Sequence, residues 1–411
     1  MIKYLFYLEP YVFLFHNNSD YLIYNTLNSF YIEVNHICGM NWLLDILNDP
    51  KNGYSMFLQE KDIANPYIKQ LIKDVRDSFS GDCILLEDGK KKPFIFKPIL
   101  FLNNDILKKN SNERDYDGDK VLKNLDEITL FFPIQCNLDC YNCGKYHKQF
   151  LHCYKQKSET LSKYEYEKLF DDICFSGVSK INLVGDQSVL KYANDLLGIE
   201  LNIYVYIPYK KCDDAFMHDA LGLGINLIIN VHQEDIDKEL SDFILRYTNT
   251  KIEYQFIITN KSDIEKINTL SNIESINKSM LPFYTGDNIS FFKECVYMDL
   301  EDIISEPISR QTIFRRQVLN ENFFGKLYID AKGDVYSNMN GQPIGNVRDK
   351  KLKEIVYTEI KSESPIWLKT RDQTTCCQCL YRYLCPSVSN YELVIGKSNL
   401  CHVSVSECEP T

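Results

Sequence analysis

From residue 127 onward the chain alternates between two kinds of apolar pattern. Short runs rich in Ile, Val, Leu, Tyr and Phe fall at 128–133, 180–184, 201–207, 225–231 and 252–259. Helix-period stretches near 187–197, 211–221, 233–247 and 261–271 separate them. Ser162 and Glu165 form a capping-box pair at the head of a further helix, with Leu161, Leu169, Phe170 and Ile173 as its apolar stripe. Such alternation leaves few choices. Strands joined through helices lie parallel, the crossovers are right-handed, and the product is an α/β fold, here a partial (β/α) barrel. Chemistry on such folds gathers at the C-terminal ends of the strands.

The loop after the first of these strands carries Cys136, Cys140 and Cys143 within Gln-Cys-Asn-Leu-Asp-Cys-Tyr-Asn-Cys. Three thiolates on one short loop suffice for three irons of a [4Fe–4S] cluster and leave the fourth iron open to a small molecule. The blander readings are a zinc loop, although zinc sites usually pair cysteines two by two, and a chance grouping. A second group, Cys376-x2-Cys379-x5-Cys385 followed by Cys401, supplies four thiolates, enough for one cluster or one zinc. Ahead of it, 326–338 reads as a hairpin turning at Lys332-Gly333.

Composition narrows the function classes. A chain of 411 residues has room for two or three domains. A net charge of −11 argues against a nucleic-acid backbone as partner. No run is long and apolar enough for a membrane helix. The apolar opening is interrupted by Glu9 and Pro10 and reads as a strand, not a signal peptide. Fifteen cysteines in a chain this long point to metal clusters and to the reducing cytoplasm.

Residues 1–103 form a separate α+β unit, with strands at 4–16, 21–24 and 30–34 and helices near 41–47 and 65–77. The polar stretch 104–122 is a linker, 123–292 the barrel, and 293–411 the domain of the second cysteine group. Cys295, Cys377 and Cys408 are open as extra ligands but read as ordinary thiols, as do Cys38, Cys83, Cys153, Cys174 and Cys212. The histidines, His147 and His152 included, show no ligand spacing.

The Cys136–Cys140–Cys143 motif, with its Cys-Asn-Leu opening, resembles the signature of the radical SAM superfamily. The hairpin and the later cysteines resemble a SPASM domain, and the N-terminal order of strands and helices resembles a winged-helix peptide-recognition domain. The resemblance implies a partial (β/α)6 barrel whose open iron chelates S-adenosylmethionine and cleaves it reductively. It implies a second, auxiliary [4Fe–4S] cluster on Cys376, Cys379, Cys385 and Cys401. The substrate would be a ribosomally made precursor peptide with a leader, and the electron donor a flavodoxin or ferredoxin.

In place of the family's Gly-Gly-Glu run stand Val184, Gly185 and Asp186, so Gly185 and Asp186 would orient the methionyl group. Position alone nominates Asn230 and Asn260 as further contacts to S-adenosylmethionine. Asn338 and Ser389 stand where ligands of another auxiliary cluster would be, which implies one auxiliary cluster and not two. The opening 4–14 and Tyr24-Asn-Thr-Leu-Asn also resemble pseudo-radical-SAM proteins of Bacteroidales peptide systems, which would make the chain a scaffold or an electron-transfer partner. A zinc-ribbon protein is the third reading.

Overall fold

The computed structural model describes residues 3–17, 20–35, 39–86, 121–134, 136, 140, 142–155, 160–198 and 200–403. The N-terminal unit holds six strands: β1 (Lys3–Leu8), β2 (Val12–His16), β3 (Tyr21–Asn25), β4 (Tyr31–Val34), β5 (Ser55–Gln59) and β6 (Gly81–Leu86). They form two three-stranded antiparallel sheets, ordered β5-β1-β6 and β2-β3-β4. The apolar run 4–16, expected as one strand, is therefore two strands in different sheets. Pro10, with no N–H to give a ladder, sits at the corner, where Val12 N–H turns back to Glu9 O at 3.0 Å.

Helix Pro66–Asp77 starts where its sequence dictates. Asn65 accepts from Tyr67 N–H at 2.9 Å, Pro66 takes the first helical position, and Ile68, Leu71, Ile72 and Val75 are buried. Strands β2 and β3 are apolar on both faces because both are covered. Val12, Leu14, Tyr21 and Ile23 join the N-terminal core. Phe13, Phe15, Leu22 and Tyr24 point the other way, onto Ile303, Ile308, Ile313, Tyr381, Tyr383, Leu384 and Cys385 near the far end of the chain.

A nine-stranded sheet forms the larger body: β7 (Glu127–Phe131), β8 (Lys180–Val184), β9 (Asn202–Pro208), β10 (Asn226–Val231), β11 (Ile252–Ile258), β12 (Asn277–Pro282), β13 (Lys326–Ile329), β14 (Asp334–Tyr336) and β15 (Gly345–Asn346). Its order is β12-β11-β10-β9-β8-β7-β13-β14-β15. Strands β7 to β12 are parallel neighbours in chain order, and β13 adds to β7 in parallel before the hairpin to β14. The protein is thus a mixed α/β molecule with a large parallel sheet.

Among the described residues no helix is long and apolar enough to cross a membrane. Strand β12 was not legible as a strand. Its residues Asn-Lys-Ser-Met-Leu-Pro lie at the sheet's edge, only half covered, so no apolar run marks them. The proposed linker lies almost wholly outside the described residues, but its last two, Val121 and Leu122, pack on the main core.

One face of the sheet packs on the helices through Ile128, Leu130, Ile181, Leu183, Val205, Ile207, Leu227 and Ile229. The other is polar low on the strands and aromatic above. Asn182 donates to Glu127 at 2.6 Å and to Thr129 at 3.0 Å, and Ser279 donates to Glu253 at 2.7 Å. Phe131, Val184, Tyr206, Ile228 and Tyr328 form the layer above them. Gly333, at φ +89°, makes the β13–β14 turn, and a Cβ there would come within 2.9 Å of both Leu161 and Val347. Trp367 locks the C-terminal region to the sheet. It is fully buried, and its Nε1–H donates to Lys326 O at 3.0 Å. Trp367→Ala should cost about 3–5 kcal/mol of stability in denaturant titration. A loss below about 1 kcal/mol would mean the indole carries no such load.

Candidate functional site

Cys136, Cys140 and Cys143 follow β7 at its C-terminal end, where they are partly buried. They lie within electrostatic reach of one another: burial first, then the sulfurs of Cys140 and Cys136, hold the Cys143 thiol above its ordinary range. A deeply buried fourth thiol, Cys153, is pushed up by burial and by the same three sulfurs. Cys153 belongs to the aromatic layer on the sheet's inner face, and neither its spacing nor its neighbours in the sequence marked it out.

Segment 146–154 runs across the C-terminal ends of the strands. His152 is fully buried and His232, just past β10, is nearly so; their Nε2 atoms stand 2.8 Å apart. His152 Nδ1 lies 2.8 Å from Cys153 O, so it carries the proton and leaves Nε2 as acceptor. His232 is then the donor. Burial would lower His232, but hydrogen bonds to Cys140 and Glu234 outweigh it and raise it to about 9. Burial, with the charge on His232, lowers His152 to about 3. The lack of ligand spacing among the histidines did not reveal that His152 lies beside the cysteine loop, bonded to His232.

The same segment is pinned by amide side chains. Asn230 Nδ2 donates to Leu151 O at 3.1 Å, and Asn340 Nδ2 to Lys148 O at 2.8 Å. Asn390 Nδ2 reaches Gln149 O at 3.4 Å, while Gln149 exchanges two bonds with the Tyr284 backbone at 2.8 and 2.9 Å. Asn338 donates to Asn390 Oδ1 at 2.7 Å, and Ser389 caps helix Asn390–Ile395. Asn338 thus belongs to an asparagine network that holds this segment, and Ser389 caps the helix that carries Asn390.

The four residues nominated for S-adenosylmethionine have intrachain duties. A Cβ on Gly185 would come within 2.6 Å of Val189 Cγ1 and 3.2 Å of Phe132 Cβ, so tight packing already requires glycine. Asp186 Oδ1 accepts from Ser188 N–H at 3.0 Å. Asn260 is exposed and caps helix Lys261–Asn268. Asn230 differs, because its Oδ1 is buried with no hydrogen-bond partner, an acceptor waiting for a donor at the strand ends.

The second group is drawn together. Cys376, Cys379, Cys385 and Cys401 line one cavity along with Arg371 and Arg382. Burial raises the Cys379 thiol to about 11 and the Cys385 thiol to about 12, so a metal must displace their protons to bind. None of the seven nominated cysteines is in a disulfide. Cys377, expected as an ordinary thiol, is disulfide-bonded. Cys295 is exposed at a helix end, and Cys38 and Cys408 lie outside the described residues. Among the described residues no three His, Cys, Asp or Glu side chains close on a point that would hold a single metal ion. A [4Fe–4S] cube takes one thiolate per iron corner and so spaces its ligands more widely. Thiolates alone are the donor chemistry such a cube takes.

No protein-family profile and no curated protein matches the chain. Among solved structures it is similar to Streptococcus suis SuiB bound to precursor peptide SuiA, at 12% identity and a TM-score of 0.41, covering 96% of this chain and 98% of that one. SuiB bound to S-adenosylmethionine matches at 13% identity and a TM-score of 0.40, over 97% and 98% of the two chains. Coproporphyrinogen III oxidase HemN from Escherichia coli, described as a radical SAM enzyme, matches at 10% identity and a TM-score of 0.26, over 42% and 47%. Likeness at these values is too loose to transfer a residue or an activity.

Proposed function

We propose that this chain is an iron–sulfur enzyme of the radical SAM type that modifies a ribosomally made peptide. The reading rests on one observation: Cys136, Cys140 and Cys143 gather at the C-terminal end of the first of six consecutive parallel strands. They would hold a [4Fe–4S] cluster, and Cys376, Cys379, Cys385 and Cys401 an auxiliary one. When bound, the first cluster supplies a low-potential electron and an open coordination position.

The chain's own residues would do the rest. Asn230 offers its buried Oδ1 to a donor of S-adenosylmethionine. Gly185 and Asp186, past the end of β8, would meet the methionyl group once Asp186 released Ser188 N–H. Asn260, just past β11, is the remaining candidate contact. Tyr146, Phe150 and Phe283 pack around Cys140 and would keep water from it.

In this reading β7 to β12 are the partial (β/α)6 barrel and the segment from residue 293 is a SPASM-like domain. The N-terminal sheets are a winged-helix-like recognition domain, holding a leader as an added strand. The electron donor would be a flavodoxin or ferredoxin, in the cytoplasm. The test is anaerobic reconstitution with S-adenosylmethionine and a strong reductant. Release of 5′-deoxyadenosine is expected, and none, even with the precursor peptide present, would overturn the assignment.

A second reading, a scaffold or electron-transfer partner in peptide maturation, is favoured by Cys153. That thiol stands near the other three, and a fourth thiolate would close the open iron. Cys153→Ala separates the two. The enzyme should keep 5′-deoxyadenosine release and its iron, whereas a fully ligated electron carrier should lose cluster stability and have no such activity to keep. A colourless, zinc-loaded protein would remove both readings.

A further inference from the structure

Arg371 is the buried charge at the four-cysteine cavity, and only 5% of it is exposed. Its guanidinium is fixed on every side. Nε–H donates to Pro386 O at 2.7 Å, and Nη1–H donates to Ser398 O at 2.8 Å and to Glu392 Oε1 at 2.8 Å. The same Nη1 stands 3.8 Å from Cys376 Sγ. Glu392 is buried too, 4% exposed, and its other oxygen accepts from Ser389 N–H at 2.7 Å. Burying such an ion pair is costly, and a helix cap alone does not need it. Arg382, the other arginine of the cavity, is tied to Asp372 at 2.9 Å.

We propose that Arg371 and Glu392 set the reduction potential of the group held by Cys376, Cys379, Cys385 and Cys401. The inference rests on reading that group as a [4Fe–4S] cluster. Such a core with four thiolates is already a dianion when oxidised, and taking up one electron makes it a trianion. A fixed cation this close to a ligand sulfur stabilises the more negative form, so Arg371 raises the potential. Glu392, paired with Arg371 at 2.8 Å, partly offsets that field. Both act through the cysteines and are positioning residues.

The pair therefore predicts opposite signs for two substitutions. Full-length protein with Cys136, Cys140 and Cys143 changed to Ala would be reconstituted anaerobically, so that one cluster is read alone. Its midpoint would be followed by EPR during a redox titration. Glu392→Gln keeps the shape and the acceptor oxygen, and should shift the midpoint to more positive values. Arg371→Gln should shift it to more negative values, and Arg371→Lys, which keeps the charge, by less. If Arg371→Gln does not fold, Glu392→Gln and Arg371→Lys still carry the test.

Shifts of the same sign in both directions of charge change, as loosening or added water would give, overturn the proposal. So does an unchanged midpoint. A cavity that takes up zinc and no iron also overturns it, and in that case the iron–sulfur reading of the four cysteines falls first.

Discussion

Cys140→Ala should halve the iron of reconstituted protein and abolish 5′-deoxyadenosine release. Two complete thiolate sets predict about eight irons per chain, about four in each cluster. Cys140 packs against Tyr146, Ile257 and Phe283, so its loss removes a ligand that the surrounding side chains hold in place. The C-terminal set is made by residues 376–401 and should keep its iron. Cys379→Ala should do the reverse, losing the other half of the iron. Iron analysis with the product assay reads both. About twelve irons in the wild type would mean that another set of ligands exists, and activity in Cys140→Ala would remove the three-cysteine loop from the chemistry.

The second large effect concerns the segment across the strand ends. Asn340→Ala combined with Asn390→Ala removes two amides that hold Lys148 O and Gln149 O. Each such bond is worth roughly 0.5–1.5 kcal/mol net, so the pair should favour release of the segment by roughly 1–3 kcal/mol. That is about a five- to 150-fold change in the closed-to-open ratio. Amide hydrogen exchange across 147–152 should quicken accordingly. The segment also occupies Asn230, the residue whose free oxygen suits S-adenosylmethionine. If it covers that site, the apparent affinity should rise with the open fraction. Faster exchange with unchanged affinity would show that the segment does not cover the site.

The parallel sheet was readable because β7 to β11 carry apolar residues all along the helix-covered face and close on largely buried apolar ends, with polar residues only low on the other face. The cysteine groups were readable because thiolates on a short loop have few other uses. What stayed hidden needs the third dimension. Strand β12 is polar because it is an edge. His152 and His232 are eighty residues apart and share no motif. Arg371 looks like any surface arginine until Glu392 and Ser398 are folded against it. The break at Pro10 was visible as a proline, but an apolar run on both sides concealed that its halves belong to different sheets.

The contact between Tyr24 and the far end of the chain has a consequence for synthesis. Phe13, Phe15, Leu22 and Tyr24 leave the ribosome early, yet their cover, Tyr381 to Cys385, is made about 360 residues later. At about 5–20 residues per second, that apolar face waits roughly 20–70 s for its partner. Tyr24 accepts a bond from Ile308 N–H at 3.0 Å, and Tyr381 O–H donates to Glu33 on β4. Until then that face of β2 and β3 has no cover from the later chain. The four-cysteine cavity, lined by residues between 298 and 403, is likewise completed only late in synthesis.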